Sequence, residues 1–249
     1  MRAPAENGLT HGTFSEILIC IQMRLFMGFS GPALAVVLLV SSSSVYARDV
    51  QVGATTVTVE APFGFCELDK TKTFDTSWQT SATNLLKASS IQLVAGFPDC
   101  KELKQSRSTG QLILNKFFVS AYAPAIGTAS AASTVETCNQ IRAMGDYSAE
   151  SKSVVQDAVK KYSSSTSLDS KLLGILEEVA GQVCYVATLQ KIKTNKGDVV
   201  TLLVLIAVTA VRKDLIYLYL NVPYTDAGSI PAALADLKVL YSDFAAANK

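Results

Sequence analysis

The sequence predicts an α+β domain, a mainly antiparallel sheet covered by helices in an α/β/α sandwich-like arrangement, behind a cleaved N-terminal signal peptide. Three observations carry this. Four closely spaced runs rich in Val, Leu and Ile (Leu172–Leu176, Val183–Ile192, Val199–Val211, Leu215–Val222) read as antiparallel strands. Ile230, Leu234, Leu237, Tyr241 and Phe244 recur at helical spacing in the last segment. Residues 23–47 combine a basic start at Arg24, an apolar heart at Ala33–Val40 and small residues at Val45 and Ala47, where a signal peptidase reads.

That apolar heart is far shorter than the roughly 20 residues of a bilayer anchor. The exported chain therefore begins at Arg48, and residues 48–249 form one domain. Residues 1–22 read as an over-long gene start or an extension of the n-region. A single arginine before the apolar stretch argues against a twin-arginine route. Localisation outside the cytoplasm, periplasmic or secreted, follows.

Along the exported chain, Thr55–Val59 alternates Thr and Val as a strand and ends before Ala61-Pro62. Phe63–Asp69 is a compact turn. A helix capped by Asp75 or Thr76 runs to about Ala88, with Trp78, Ala82, Leu85 and Leu86 on one face. Ile91–Ala95 is a strand closed by Gly96-Phe97-Pro98-Asp99-Cys100, and Gln111–Tyr122 is another, ended by Pro124. Ser133-x-x-Glu136 is a capping box, after which Val135, Cys138 and Ile141 share a face up to Gly145. A further helix spans Ala149–Tyr162 behind Ser148. Turns at Ala180-Gly181 and Asn195-Lys196-Gly197 separate the late strands. Arg212-Lys213-Asp214 would sit mid-membrane if 199–222 were one spanning helix, each costing about 3 kcal/mol, so a hairpin is expected and no membrane span in the mature chain. Ser229 caps the last helix and Pro231 lies in its first turn.

Composition excludes several functions. The leader removes Arg2, Arg24, Glu6 and Glu16 from totals of 22 basic and 21 acidic residues, leaving 20 and 19, a balance that offers nucleic acid no basic surface. The only histidine is His11, within the leader. Ser-His-Asp and Cys-His catalysis, the usual zinc sites and histidine-ligated haem are thus excluded from the exported chain. No cofactor and no metal site is indicated.

The exported chain holds four cysteines, Cys66, Cys100, Cys138 and Cys184, read as two disulfides. Three pairings are possible; joining consecutive cysteines across moderate loops favours Cys66–Cys100 and Cys138–Cys184. With that first bridge, Glu67, Asp69 and Asp99 come near one another. Converging carboxylates have the chemistry to bind Ca²⁺ or act as an acid/base pair, while the more economical reading has them capping turns in water. Glu177 and Glu178 point to opposite faces of a strand. Tyr217 and Tyr219 share one face, with Asn221 following, and either line a ligand groove or pack under a helix. Lys101, Lys104 and Arg107 read as exposed charge beside the second turn.

At these residues the chain resembles a group of small exported bacterial proteins with no assigned activity. The shared features are a strand leading into Gly64-Phe65-Cys66-Glu67-Leu68-Asp69, a later Phe97-x-x-Cys100, and an ending of Leu215–Tyr224 followed by a helix closing on Ala245-Ala246-Ala247-Asn248. More distantly, a late hairpin followed by one long terminal helix is similar to the PsbP/Mog1-like α/β/α sandwich, whose members are mostly accessory or binding proteins without catalysis. The missing histidine, the near-zero charge and the lack of any catalytic spacing point to a non-catalytic periplasmic binding or accessory module, and the resemblance tilts the same way. The alternatives are a carboxylate-based hydrolase and an envelope-associated protein that binds a periplasmic or envelope partner.

Overall fold

The computed structural model describes residues 47–88, 91–110, 116–122, 133–144, 170–193 and 199–249. The expected leader up to residue 46, the helix expected at Ala149–Tyr162 and the expected Asn195-Lys196-Gly197 turn lie outside the described residues, as do 111–115 of the strand expected from Gln111.

In chain order the elements are β1 (Arg48–Val52), β2 (Thr55–Val59), α1 (Thr73–Ala88), β3 (Gln92–Pro98), α2 (Cys100–Thr109), β4 (Phe117–Tyr122), α3 (Thr134–Met144), β5 (Ser170–Val179), β6 (Val183–Lys193), β7 (Val199–Val211), β8 (Asp214–Pro223) and α4 (Ser229–Ala247). Strands β3-β4-β8-β7-β6-β5 form one sheet in that order, every pair antiparallel, and β1-β2 form a separate hairpin. The α+β class and the antiparallel sheet are as expected.

Side chains alternate across the sheet with a period of two, so each strand feeds two cores. Leu203, Leu205 and Ala207 of β7, Ile216, Leu218 and Leu220 of β8, and Tyr185 and Leu189 of β6 face a layer made by α4 and the β1-β2 hairpin. Val204, Ile206 and Val208, Tyr217 and Tyr219, and Cys184 and Val186 face the other way, toward Trp78 and Leu86 of α1 and Cys138 of α3. Burial on both faces is why β7 and β8 read as nearly continuous apolar runs. They meet through Arg212-Lys213, with Arg212 in the left-handed region at φ 58°. Residues 199–222 are a hairpin, and no helix among the described residues is long and apolar enough to cross a membrane.

Several boundaries differ from the sequence reading. Helix α1 starts at Thr73, which places Asp75 inside its first turn. Ser133 does cap α3, its hydroxyl accepting the Glu136 amide at 3.1 Å, but the buried side is Thr134, Thr137 and Cys138, and Val135 is exposed. Ser229 is the first residue of α4 rather than its cap. Its hydroxyl accepts the Thr225 and Asp226 amides and closes the turn that precedes the helix.

Both rims of the sheet are irregular. The β5–β6 register shifts twice, at Leu172/Gly174 and Ile175/Glu177, and β3–β4 shifts at Leu93/Ala95. The hairpin is fastened to the end of the chain. The Asn248 side chain accepts the Thr58 amide and donates to the Thr58 carbonyl, each at 2.8 Å, pairing with β2 as another strand would.

Helix α1 lies on β3 because Gly96 leaves room for Trp78. A Cβ there would stand 2.6 Å from Cη2 and Cζ3 of that ring, which is buried and packs edge-on against Phe117. Gly96→Ala is expected to cost about 2 kcal/mol through overpacking. Trp78 is the chain's only tryptophan, so urea unfolding followed by its emission reads the loss directly; an unchanged midpoint would refute this packing.

Candidate functional site

The two cysteine turns are drawn together by backbone bonds. Gly64 (φ 85°) turns the chain, and the Phe65 amide donates to the Pro62 carbonyl at 2.9 Å. The Cys66 amide then donates to the Pro98 carbonyl at 2.9 Å, and the Cys100 amide to the Gly64 carbonyl at 3.0 Å. Those bonds set the two Cα atoms 5.0 Å apart, and the Cys66–Cys100 disulfide forms. Cys138–Cys184 joins α3 to β6 across 6.2 Å, with both residues fully buried. The pairing of consecutive cysteines is the one present.

Each nearby carboxylate has a different surrounding. Asp99 caps α2, accepting the amides of Lys101 (2.9 Å) and Glu102 (3.1 Å). Asp69 accepts the hydroxyl (2.7 Å) and amide (2.9 Å) of Thr71, bonds that hold its carboxyl below the usual range. Glu67 is half-buried. Burial pushes its carboxyl up, against the pull of Arg48, and its Oε1 is buried without a hydrogen-bond partner. Among the described residues, no group of three His, Cys, Asp or Glu stands close enough to share a metal ion.

The strongest charged contact at this corner involves two residues that sequence reasoning assigned elsewhere. Asp75 is 1% exposed and receives Arg107 through two hydrogen bonds, Nε to Oδ1 at 2.9 Å and Nη2 to Oδ2. It also accepts the Asp69 amide at 2.7 Å. Burial drives the Asp75 carboxyl up, but the Arg107 and Asp69 bonds together outweigh it and hold the group low. Arg107 is thus paired, with a third of its side chain still exposed, and Lys101 and Lys104 are exposed as expected. A signal for α2 was available: Asp99-x-x-Glu102 is an N-terminal capping pattern, and Gly110 at φ 66° stops the helix.

On the sheet, Tyr217 and Tyr219 share the face toward α1 and α3, ring centroids 6.2 Å apart. Burial pushes both hydroxyls above their ordinary range, helped at Tyr219 by Tyr217, so both rings are neutral phenols at any physiological pH. Asn221, 1% exposed, continues this face between Phe117 of β4 and Val204 of β7. Glu177 and Glu178 do point oppositely, Glu177 to Lys238 of α4 and Glu178 to Arg142 of α3.

No protein-family model matches the chain, and no curated protein matches it in sequence. Among solved structures it is similar to the Ran-binding protein Mog1p of Saccharomyces cerevisiae, with 12% identity, 78% of this chain and 85% of that one covered, and a TM-score of 0.31. A likeness so slight carries no argument about function.

Proposed function

We propose that the chain is an exported, disulfide-stabilised binding or accessory module that performs no catalysis itself and works in the periplasm or as a secreted protein. The observation that carries this reading is the engagement of the cysteine-turn carboxylates. Asp99 is bound to the amides that open α2 and Asp69 to Thr71, so both are committed to holding backbone. Two disulfides, one of them fully buried, fit an oxidising compartment, and residues 48–249 contain no imidazole for proton transfer near neutral pH. The resemblance to small exported bacterial proteins points the same way, with an envelope protein as the expected kind of partner.

Cross-linking in living cells, followed by mass spectrometry of the captured species, tests the reading. The expected result is a reproducible adduct with an envelope component, on a bait whose intact mass begins at Arg48 with no free thiol. One observation favours the hydrolase alternative: Glu67, kept protonated to higher pH, lies two residues from the readily ionised Asp69, the split an acid/base pair uses. A hydrolytic activity abolished by Glu67→Gln in a normally folded variant would replace the binding reading with that one.

A further inference from the structure

The face of the sheet toward α1 and α3 carries buried polar atoms that no described residue satisfies. Among the described residues, Asn221 Oδ1, Thr188 Oγ1, Gln190 Oε1 and Thr137 Oγ1 are buried there with no hydrogen-bond partner. The register fixes the layout of the three on the sheet. Asn221 and Thr188 flank Val204 in one row across β8, β7 and β6, and Gln190 lies one row further along β6, opposite Leu202. With strands about 4.8 Å apart and about 3.3 Å per residue, they frame a strip of roughly 10 by 7 Å. Asn221 and Gln190 are 1% and 8% exposed. Phe117, Val204 and Leu172 share the first row, and Leu202, Pro223 and Ser170 the second, with no charged residue among them. Tyr219 and Tyr217 extend the strip along β8.

A buried orphan acceptor costs a fold about 1–3 kcal/mol, and an apolar side chain of the same size would avoid that cost. Several such atoms gathered on one face, with neutral phenols beside them and no charge, describe a surface complementary to a small uncharged donor. We propose that this strip binds a neutral molecule of about one ring's size that presents hydroxyl or amide N–H donors to Asn221, Thr188 and Gln190 while its apolar face lies against Val204 and the tyrosines. The proposal rests on the reading of the chain as a binding module and gives that module a ligand class.

Saturation-transfer NMR on the native protein with glucose, resorcinol and nicotinamide as separate probes tests it and distinguishes polyol, phenol and amide donors. At least one probe is expected to bind, and Asn221→Leu and Gln190→Leu are each expected to weaken it about tenfold while melting at the same or a higher temperature. Absence of binding by all three probes would overturn the proposal, as would binding unaffected by both substitutions. Variants that bind nothing and melt lower would assign the orphan atoms to fixed water instead. A captured envelope protein together with silent probes would remove this site and leave the binding-module reading standing.

Discussion

Replacing Cys138 and Cys184 together with alanine is expected to lower the unfolding free energy by about 4 kcal/mol, a large share of the roughly 5–15 kcal/mol that holds a domain folded. The bridge closes a loop of 46 residues, and the unfolded chain regains that freedom when it is lost. It is also the covalent tie between α3 and the sheet, whose contact otherwise rests on Thr134, Thr137, half-buried Ile141 and the Arg142–Glu178 ion pair. Urea unfolding of the double variant beside the native protein measures the effect. A loss below 1 kcal/mol would mean that α3 is held by packing alone. The Cys66–Cys100 bridge closes a shorter loop, 34 residues, that backbone bonds already draw together, so its removal is expected to cost less.

The second large effect belongs to the Asp75–Arg107 pair. Arg107→Met strands a carboxylate that is 1% exposed, and removing one partner of a buried pair costs about 3–5 kcal/mol. Asp75→Asn leaves instead a guanidinium that is one-third exposed and can turn to water, so about 2 kcal/mol is expected. The order of the two losses tests which partner is the buried one. The acid response gives an independent check. In the native protein the Asp75 carboxyl is held low, so its contribution is complete above the unfolded value of 3.8 and disappears as pH falls through the folded one. Glu67 acts in the opposite sense. Its raised carboxyl makes the folded state take up a proton first, so stability grows as pH falls from that raised value toward 4.5. Without Arg107, Asp75 titrates above its unfolded value, and the variant should gain stability on mild acidification where the native protein loses it below 3.8. Denaturation curves between pH 3 and 7 report the sign, and identical profiles would refute the pairing.

The central sheet was legible because β6, β7 and β8 are buried on both sides, and a thirteen-residue, nearly all-apolar run ended by Arg212-Lys213-Asp214 has few other solutions. Helix α4 announced itself through five apolar residues at helical spacing. Helix α2 did not, since only Leu103 and Ser106 of its ten residues are buried and its sequence has no apolar stripe. Strand β1 alternates in Arg48-Asp49-Val50-Gln51-Val52, a signal obscured by its position against the expected leader. The Asp75–Arg107 pair spans 32 residues, and no local pattern joins positions so far apart. For the candidate strip the sequence supplied one edge, Tyr217, Tyr219 and Asn221 at every second position of a strand. Thr188 and Gln190 joined it only through the register of β6 against β7, which depends on the hairpins at either end.

Asn248 clasps Thr58, so the first hairpin is sealed by a residue 190 positions further along the chain. Synthesis runs in one direction, so β1 and β2 have left the ribosome long before the clasp that holds them exists. Their outer fastening waits for α4 to be made and to find the sheet. Completion of the first element of the domain is thereby tied to its last helix.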